Sequence, residues 1–304
     1  MFSIRNISIL SSHKYVNELA PKSPWLHAMD DDELRRLQLN ILNIYHDIQS
    51  FCDRHNLVIM LGYGSALGAY RHQGFIPWDD DIDVLMPRND YEYLVKNFEK
   101  EYGDKYWVVC PLNKERCTCF FGKVISKKTI YKGIGAEDDG YNGTFVDIFP
   151  LENFPSKYAR IRKTIDLALK FIGSCLLTYK NNSDHYLQMM KQKKEAYLSY
   201  KIRRTIGFCF SFISYSKWAK MYDKFVQYKK ETGVLHDPTG DYRWIGYDKS
   251  VLLPPKKMEF EGTMVYVPNK INVYLESEFG PNYMQLPPEN QRVRHFAEVF
   301  NENV

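Results

Sequence analysis

Apolar residues recur at helical spacing through the segment 31–54, which predicts an amphipathic helix with one face in the core. Asp30 stands just before this segment and Glu33 follows three residues later, the spacing of a capping box. The short apolar run 57–61 predicts a buried strand. The glycine-rich segment 62–68 then predicts a turn from that strand into a short helix.

Residues 82–149 contain several short apolar runs and one amphipathic segment. Residues 82–86 predict a second strand, Pro87 breaks it, and 91–102 predicts a helix that Gly103 ends. Further strands are predicted at 106–110, 120–125 and 144–149. This succession predicts an α/β (α+β) fold with a mixed sheet flanked by helices.

The pattern changes at residue 156, where helical periodicity replaces the strand signals. One helix is predicted to end near Tyr179, and two basic helices are predicted over 185–206 and 216–231. Between them lies the aromatic stretch 208–215, which we interpret as a buried turn of helix rather than a membrane anchor. We therefore divide the chain into an N-terminal extension 1–30, a catalytic core 31–155, a basic helical insert 156–232, and a C-terminal part 233–304.

The C-terminal part returns to short elements and is expected to complete the catalytic domain. Residues 233–240 are predicted to form a loop, and strands are predicted at 244–247, 258–260 and 264–267. A helix is predicted over 269–279, followed by a proline-containing tail.

The net charge of +4 conceals a strong asymmetry. Lys157 to Lys230 contains 17 Lys and Arg against four acidic residues, a balance of +13, so the rest of the chain carries −9. A basic block of this kind attracts an anionic partner such as a membrane face, a phosphorylated glycan or a nucleic acid, or forms solvated helix faces. The insert lacks the glycine patterns and zinc-finger spacing of nucleic-acid binders, so we expect no nucleic acid.

Cysteine content and hydropathy place the chain in a reducing compartment. The six cysteines lack the spacing of a disulfide framework or a zinc site, and we interpret them as reduced. No apolar run reaches the roughly 20 residues that a membrane span needs, and residues 1–14 lack a secretory signal. We expect a cytoplasmic protein, with peripheral contact at the inner face of an anionic membrane as a further expectation.

Four acidic residues within five positions form the most informative segment, Asp79, Asp80, Asp81 and Asp83, flanked by Trp78 and an apolar strand. Carboxylates this close repel each other by roughly 4 kcal/mol per pair at ~4 Å and an effective dielectric near 20. A hard divalent cation relieves this repulsion, and oxygen ligands suit Mg²⁺ or Mn²⁺. The segment therefore predicts a metal-dependent phosphoryl-transfer site.

Gly64 and Ser65 lie where the first strand turns into a helix, a place where backbone N–H groups approach phosphate oxygens closely. Asp81 and Asp83 follow on the next predicted strand, sixteen residues after Ser65. This layout is typical of nucleotidyltransferase-fold enzymes, which need a third carboxylate from another strand. Asp147, embedded in a predicted apolar strand, is the candidate, with a partnered structural Asp as the alternative.

These segments resemble the LicD family of phosphocholine transferases, whose relatives include fukutin and the fukutin-related protein. The resemblance lies in the run from Gly64 to Asp83, in Arg88-x-Asp90-Tyr91, and in Phe145 to Pro150. Shorter matches near the C-terminus include Tyr274-Leu275, Tyr283-Met284 and Leu286-Pro287-Pro288. The family has Tyr-Gly where this chain has Phe279-Gly280, and the insert 157–230 carries no motif that identifies an acceptor.

The resemblance implies transfer of a phospho-alcohol, usually phosphocholine from CDP-choline or a related CDP-alcohol, to a sugar hydroxyl of a cell-surface glycan. The acceptor class includes lipopolysaccharide, teichoic acid and capsule, and lipid-linked forms of them. Asp81, Asp83 and Asp147 would hold the metal against the diphosphate. Asp79 or Asp80 would accept the proton of the attacking hydroxyl, and the sequence does not choose between them.

The resemblance also assigns substrate-binding roles beside the acidic segment. Arg71 would pair with phosphate oxygens, and Trp78 would stack on a base or face a trimethylammonium group. His72 is a further substrate-binding candidate, with a supporting or structural role as its alternative, and a surface Arg71 and a core Trp78 stay open as alternatives.

Three alternatives to phosphocholine transfer stay open at this point. A nucleotidyltransferase that leaves a nucleoside monophosphate on its acceptor would use the same metal site. A phosphoethanolamine or polyol-phosphate transferase would differ only in the donor. An inactive glycan-binding protein would have little reason to retain a cluster of charges that is costly to bury.

Overall fold

The described part of the protein combines short strands with longer helices. The computed structural model describes residues 12–26, 29–113, 117, 119–133, 141–240, 243–288, 292 and 297–302. The strands are, in chain order, β1 (Met60–Leu61), β2 (Asp83–Pro87), β3 (Tyr106–Val109), β4 (Gly122–Ser126), β5 (Ile130–Gly133), β6 (Phe145–Asn153), β7 (Val234–His236), β8 (Tyr247–Asp248), β9 (Lys256–Phe260), β10 (Thr263–Val267) and β11 (Ala297–Asn301).

The α-helices begin before the first strand and dominate the middle of the chain. They are α1 (Ser12–Leu19), α2 (Asp31–His55), α3 (Tyr63–His72), α4 (Arg88–Tyr102), α5 (Ala159–Lys180), α6 (Asp184–Lys191), α7 (Lys194–Phe210), α8 (Tyr215–Val226), α9 (Lys249–Leu252) and α10 (Ile271–Phe279).

The main sheet has seven strands, and five of them run in the order β1-β2-β6-β4-β3. Strands β2 and β6 are parallel, while the other pairs in this row are antiparallel. The far end of β6 also pairs with β7, which pairs with β8. Two small antiparallel sheets, β9 with β10 and β5 with β11, complete the strands. The predicted mixed sheet flanked by helices is confirmed.

Helix α2 follows its sequence signals closely. The Asp30 side chain accepts from the Glu33 N–H at 2.8 Å, and the Glu33 carboxylate accepts from the Asp30 N–H at 3.2 Å, which forms the predicted capping box. The helix ends at Asn56, which adopts the left-handed conformation with φ 55°. Its apolar face belongs to the main core together with the central strands, and includes Leu37, Ile41, Tyr45, Ile48 and Phe51.

Several predictions about elements are wrong in detail. The helix predicted over 185–206 is two helices, α6 and α7, separated at residues 192–193. Strands β5, β7 and β11 were not predicted, and β7 lies within the segment predicted as a loop. The aromatic stretch 208–215 is not uniformly buried: Phe208 and Phe212 are exposed, whereas Tyr215 is buried.

The insert helices pack around their own apolar clusters rather than on the sheet alone. Helix α1, from the N-terminal extension, contributes Tyr15 and Leu19 to a cluster with Met189, Met190 and Tyr200 of α6 and α7. The predicted extension includes 1–11 and 27–28, which lie outside the described residues. None of the described helices combines the length and the apolar character that crossing a bilayer requires.

One buried ion-pair network joins the insert to the sheet. Arg88, the first residue of α4, donates from Nε to Glu152 of β6 at 2.6 Å and from Nη1 to Asp223 of α8 at 2.9 Å. Two carboxylates thus share one guanidinium in a buried position. Burial raises the pKa of Glu152 from 4.5 to about 7, although the Arg88 cation opposes that shift.

This raised pKa makes stability depend on pH in a predictable direction. Between pH 4.5 and 7 the folded protein keeps a proton on Glu152 that the unfolded chain has lost, so stability falls as pH rises through this window. Between pH 4.5 and pH 7, we expect the free energy of unfolding of the wild type to fall by up to about 3 kcal/mol more than the free energy of unfolding of Glu152→Gln falls. Urea unfolding at a series of pH values measures this difference.

The exposed Glu276 of α10 provides the control, because Glu276→Gln leaves the buried network unchanged. Its curve of unfolding free energy against pH should follow that of the wild type. Parallel curves for the wild type and Glu152→Gln would contradict the assigned titration.

Candidate active site

Parallel pairing of β2 and β6 brings two of the predicted carboxylates together. Asp83 and Asp147 are register partners, and the Asp147 N–H donates to the Ile82 carbonyl at 3.0 Å. Neighbouring strands lie about 4.8 Å apart, so the two side chains emerge next to each other from the edge where β2 begins. The two residues lie 64 positions apart in the chain, and the parallel register alone makes them neighbours.

The segment before β2 supplies three more carboxylates. Asp79, Asp80 and Asp81 each offer a carboxylate oxygen, and these oxygens lie within 4.8 Å of one another. A turn holds the segment, since the Asp79 N–H donates to the Ile76 carbonyl at 2.9 Å. Gln38 of α2 also donates to the Asp79 carbonyl at 2.9 Å, which ties the segment to the long helix.

The junction between β1 and α3 orders this acidic segment. The Asp83 N–H donates to the buried Ser65 hydroxyl at 2.9 Å, and the Gly62 N–H donates to the Asp83 carbonyl at 2.9 Å. A Cβ on Gly64 would lie 2.9 Å from the Asp79 carboxylate, so glycine leaves the room that this carboxylate takes. Gly64 and Ser65 therefore position Asp79 and Asp83, and their predicted contact with phosphate stays a prediction.

A half-buried lysine lies beside these carboxylates. Lys123 of β4 pairs with the Asp147 carboxylate at 2.7 Å, and its ammonium lies 3.7 Å from the centre of the Phe145 ring. Burial by itself would lower the pKa of Lys123, but the Asp147 and Asp83 carboxylates outweigh it and raise that pKa. Lys123 is therefore a permanent positive charge at the edge of the acidic cluster.

The carboxylates interact strongly with one another. Burial raises the pKa of Asp83 well above its ordinary value, and the charges of Asp81, Asp147 and Asp79 raise it further, while Lys123 opposes them. One lysine does not balance four carboxylates. A divalent cation would relieve the remaining repulsion, and the donors present are carboxylate oxygens, which fit Mg²⁺ or Mn²⁺.

The cluster differs in one respect from the predicted ligand set. In the described part of the chain, Asp79, Asp80 and Asp81 are the one trio of acidic, His or Cys residues with ligand atoms within 4.8 Å of one another. Asp83 lies opposite Asp147, and Asp147 is paired with Lys123. The assignment of Asp81, Asp83 and Asp147 as metal ligands stays a prediction.

The other predicted substrate-binding residues contact the C-terminal segment. Arg71 donates from Nη1 to the carbonyls of Tyr283 and Gln285 at 2.8 and 3.2 Å, and from Nε to His72 at 3.0 Å. Because His72 accepts there, its imidazole is neutral, and burial with the Arg71 charge lowers its pKa. The Trp78 ring is covered by the Arg292 guanidinium at 4.6 Å, a cation on the face predicted to take a trimethylammonium.

The matched region of a known family coincides with this cluster. Residues 56–165 match the sequence model of the family described as LicD/FKTN/FKRP, nucleotidyltransferase domain. Residues 56–165 are therefore similar to a LicD-type nucleotidyltransferase domain. The match includes all five aspartates, Gly64, Ser65 and Lys123, and it ends within α5 of the insert.

Similarity to one relative extends far beyond that domain. The lipopolysaccharide cholinephosphotransferase LicD of Haemophilus influenzae is 29% identical over 284 residues, which cover 88% of this chain and 97% of the relative. Uncharacterized proteins of Rickettsia typhi and Rickettsia prowazekii are each 28% identical over 127 and 125 residues. These two alignments cover 38% of this chain and 39% and 46% of the respective relatives.

Three residues of the site region were not singled out from the sequence. Lys123 lies in the strand predicted over 120–125, and no nearby residue in the sequence marks it as part of the site. Asp237 accepts from the Tyr63 hydroxyl at 2.6 Å and from the N–H groups of Thr239 and Gly240, which places the 237–240 loop against the start of α3. The sequence Asp-Pro-Thr-Gly predicts a turn, but it does not indicate that the turn contacts Tyr63.

The third residue, Glu261, lies at the tip of the β9–β10 hairpin and holds the chain just before the acidic segment. Its carboxylate accepts from the Phe75 N–H at 3.1 Å and pairs with Arg35 of α2 at 2.6 Å. The Gly74 Cα faces the same carboxylate so closely that a side chain there would collide with it. The sequence could not predict this contact, because Glu261 is far from Phe75 and Arg35 in the chain and no periodic pattern links them.

Proposed function

We propose that this protein is a LicD-type enzyme that transfers phosphocholine from CDP-choline to a sugar hydroxyl of a cell-surface glycan, in a reaction that requires Mg²⁺ or Mn²⁺. The observation that carries the proposal is the parallel register of Asp83 with Asp147 beside the Asp79–Asp81 carboxylates. The relative named as a lipopolysaccharide cholinephosphotransferase, aligned over 97% of its length, supports the choice of group and acceptor.

The proposed reaction is an exchange at one phosphorus atom. The acceptor hydroxyl oxygen bonds to the phosphorus that carries choline, the bond from that phosphorus to the CMP oxygen breaks, and CMP leaves. Asp79 or Asp80 takes the hydroxyl proton, because both carboxylates lie in the segment that precedes β2. A bound divalent cation would neutralise charge on the diphosphate as CMP departs.

Lys123 supports the carboxylates rather than replacing the cation. Its pairing with Asp147 holds that side chain at the register position opposite Asp83, so the two carboxylates keep their relative orientation. For Arg71 to bind phosphate as predicted, it would exchange a backbone carbonyl of the C-terminal segment for a phosphate oxygen.

A donor experiment tests the proposal. Purified protein is incubated with Mg²⁺, lipopolysaccharide, and either CDP-choline labelled in the choline methyl groups or ATP and CTP labelled at the α-phosphate. We expect choline label on the glycan with release of an equal amount of CMP, and loss of both on addition of EDTA. Label from a nucleoside triphosphate on the acceptor would instead identify a nucleotidyltransferase.

The same assay separates the remaining alternatives. CDP-ethanolamine and CDP-polyols, supplied in competition with CDP-choline, measure the preference for the transferred group, and a higher rate with either would replace the assignment of choline. Binding of glycan without turnover of any donor would identify an inactive binding protein. The peripheral contact with an anionic membrane remains part of the proposal, since a lipid-linked glycan would reside there.

A further inference from the structure

The turn between α7 and α8 exposes aromatic side chains. We call residues 208–213 the aromatic tip; in it Phe208 is 63% exposed and Phe212 is 79% exposed. The exposed fraction matters because monomeric proteins rarely present neighbouring large apolar side chains to water without a use for them. Met221, 55% exposed on α8, adds a third apolar side chain in the same pair of helices.

The aromatic tip is held firmly by the helices behind it. Phe210 packs against Trp218 with ring centres 5.9 Å apart, and Phe208 packs against Tyr179 of α5 with ring centres 5.8 Å apart. The turn itself is closed by hydrogen bonds from the Ser211 N–H and hydroxyl to the Phe208 carbonyl at 3.1 and 2.8 Å. Its exposed rings are therefore presented by a packed structure.

Only positive charge surrounds the aromatic tip in the sequence. Residues 196–222 contain five Lys and Arg and no Asp or Glu. Lys201 and Lys217 are exposed on α7 and α8, and Arg204 lies over the rings of Tyr179 and Tyr200. On α8, Lys217, Met221 and Lys224 are exposed at helical spacing, so two cations flank an apolar side chain on one face.

We propose that the aromatic tip docks on an anionic phospholipid membrane. Phe208 and Phe212 would enter the boundary between headgroups and acyl chains, while Lys201, Lys217 and Arg204 lie among lipid phosphates. Charge complementarity selects this occupant: a symmetric contact of the tip with the tip of a second copy would bring the same positive surface against itself. This inference rests on the peripheral contact within the proposed function and is independent of the transfer chemistry.

Vesicle co-sedimentation tests the docking with the full chain. The probes are vesicles of phosphatidylcholine alone and vesicles containing 30% phosphatidylglycerol, each without donor or glycan. We expect binding to the anionic vesicles only, weakened by salt. Phe208→Ser with Phe212→Ser should weaken binding by at least about tenfold, and Lys201→Ala or Lys217→Ala by about fivefold each.

Leu39→Ser provides the matched control, because Leu39 is another exposed apolar side chain but lies on α2. We expect it to bind vesicles as the wild type does. Thermal unfolding of every variant establishes that the fold is retained, which the exposure of the substituted side chains favours. Equal vesicle binding by the wild type and the double phenylalanine variant would overturn the proposal.

A thiol at the aromatic tip gives a second readout. Cys209 is exposed next to Phe208, whereas the other five cysteines are buried or half-buried, and burial raises the pKa of each of their thiols. An environment-sensitive fluorophore on Cys209 should shift to shorter wavelength with anionic vesicles. No shift, or the same shift with single-stranded DNA or on dimerisation, would overturn membrane docking.

This design separates the two proposals. Transfer to a detergent-solubilised acceptor should survive in the double phenylalanine variant, because the tip contributes none of the carboxylates. Loss of vesicle binding with retained transfer supports docking. Retained vesicle binding without any transfer by the wild type would remove the proposed function while leaving the docking surface intact.

Discussion

Replacing Asp83 by Asn should lower the rate of phosphocholine transfer by at least about two orders of magnitude while leaving the protein folded. Asn keeps the shape of the side chain but removes the charge that faces Asp147 across the parallel strands. If Asp83 holds the metal as proposed, losing this charged ligand removes ~3 kcal/mol or more of transition-state stabilisation. The measurement is the initial rate with labelled CDP-choline at saturating Mg²⁺, beside the circular dichroism spectrum.

Asp104→Asn is the matched control for this substitution. Asp104 is exposed in the turn between α4 and β3, so the same chemical change there should leave turnover and fold unaltered. The folded structure tolerates Asp83→Asn because the backbone contacts of Asp83 with Ser65 and Gly62 do not involve its side chain. Near-wild-type turnover in Asp83→Asn would refute the catalytic assignment.

Replacing Lys123 by Met should destabilise the fold by roughly 3–5 kcal/mol, because it leaves the Asp147 carboxylate partly buried without its cation. Met keeps most of the apolar stem of lysine but lacks the ammonium, so the change removes both the pairing with Asp147 and the contact of the ammonium with the Phe145 ring. Urea unfolding at pH 7 without divalent cations measures the loss. Lys100→Met, on the exposed face of α4, should change stability by less than about 0.5 kcal/mol.

A double substitution distinguishes loss of charge pairing from loss of packing. With Asp147→Asn already present, the carboxylate that pairs with Lys123 is gone, and Lys123→Met should cost far less than it does in the wild type. The difference is the interaction energy of the pair. An equal cost in both backgrounds would mean that Lys123 stabilises the strand by packing alone.

Local signals predicted the elements that form the site. The capping box and periodicity of α2 placed its bounds within one residue, and the apolar run before Pro87 placed β2. The strand–turn–helix–strand order then indicated Asp147 as a candidate third carboxylate from another strand, and in the structure Asp147 is the register partner of Asp83. These features depend on residues near each other in the chain, which is why the sequence alone carries them.

Features that depend on distant partners were missed. Nothing near Lys123 in the sequence indicates Asp147, and nothing near Phe75 indicates Glu261. The stretch 208–215 was predicted to be buried because its residues are aromatic, yet the turn places Phe208 and Phe212 outward and Tyr215 inward. Hydrophobicity indicates a preference for burial, and only the fold decides which neighbours are available.

Strand β6 carries Asp147 near one end and Glu152 near the other, and Glu152 shares Arg88 with Asp223 of the insert. Truncating the gene to a minimal catalytic fragment by deleting 157–230 would therefore discard a carboxylate that neutralises a buried guanidinium. Such a fragment would keep Glu152 but lose the second carboxylate on Arg88, so we expect it to be less stable, and its inactivity would say nothing about acceptor recognition. Protein engineering on this scaffold should exchange surface residues of the insert and keep Asp223.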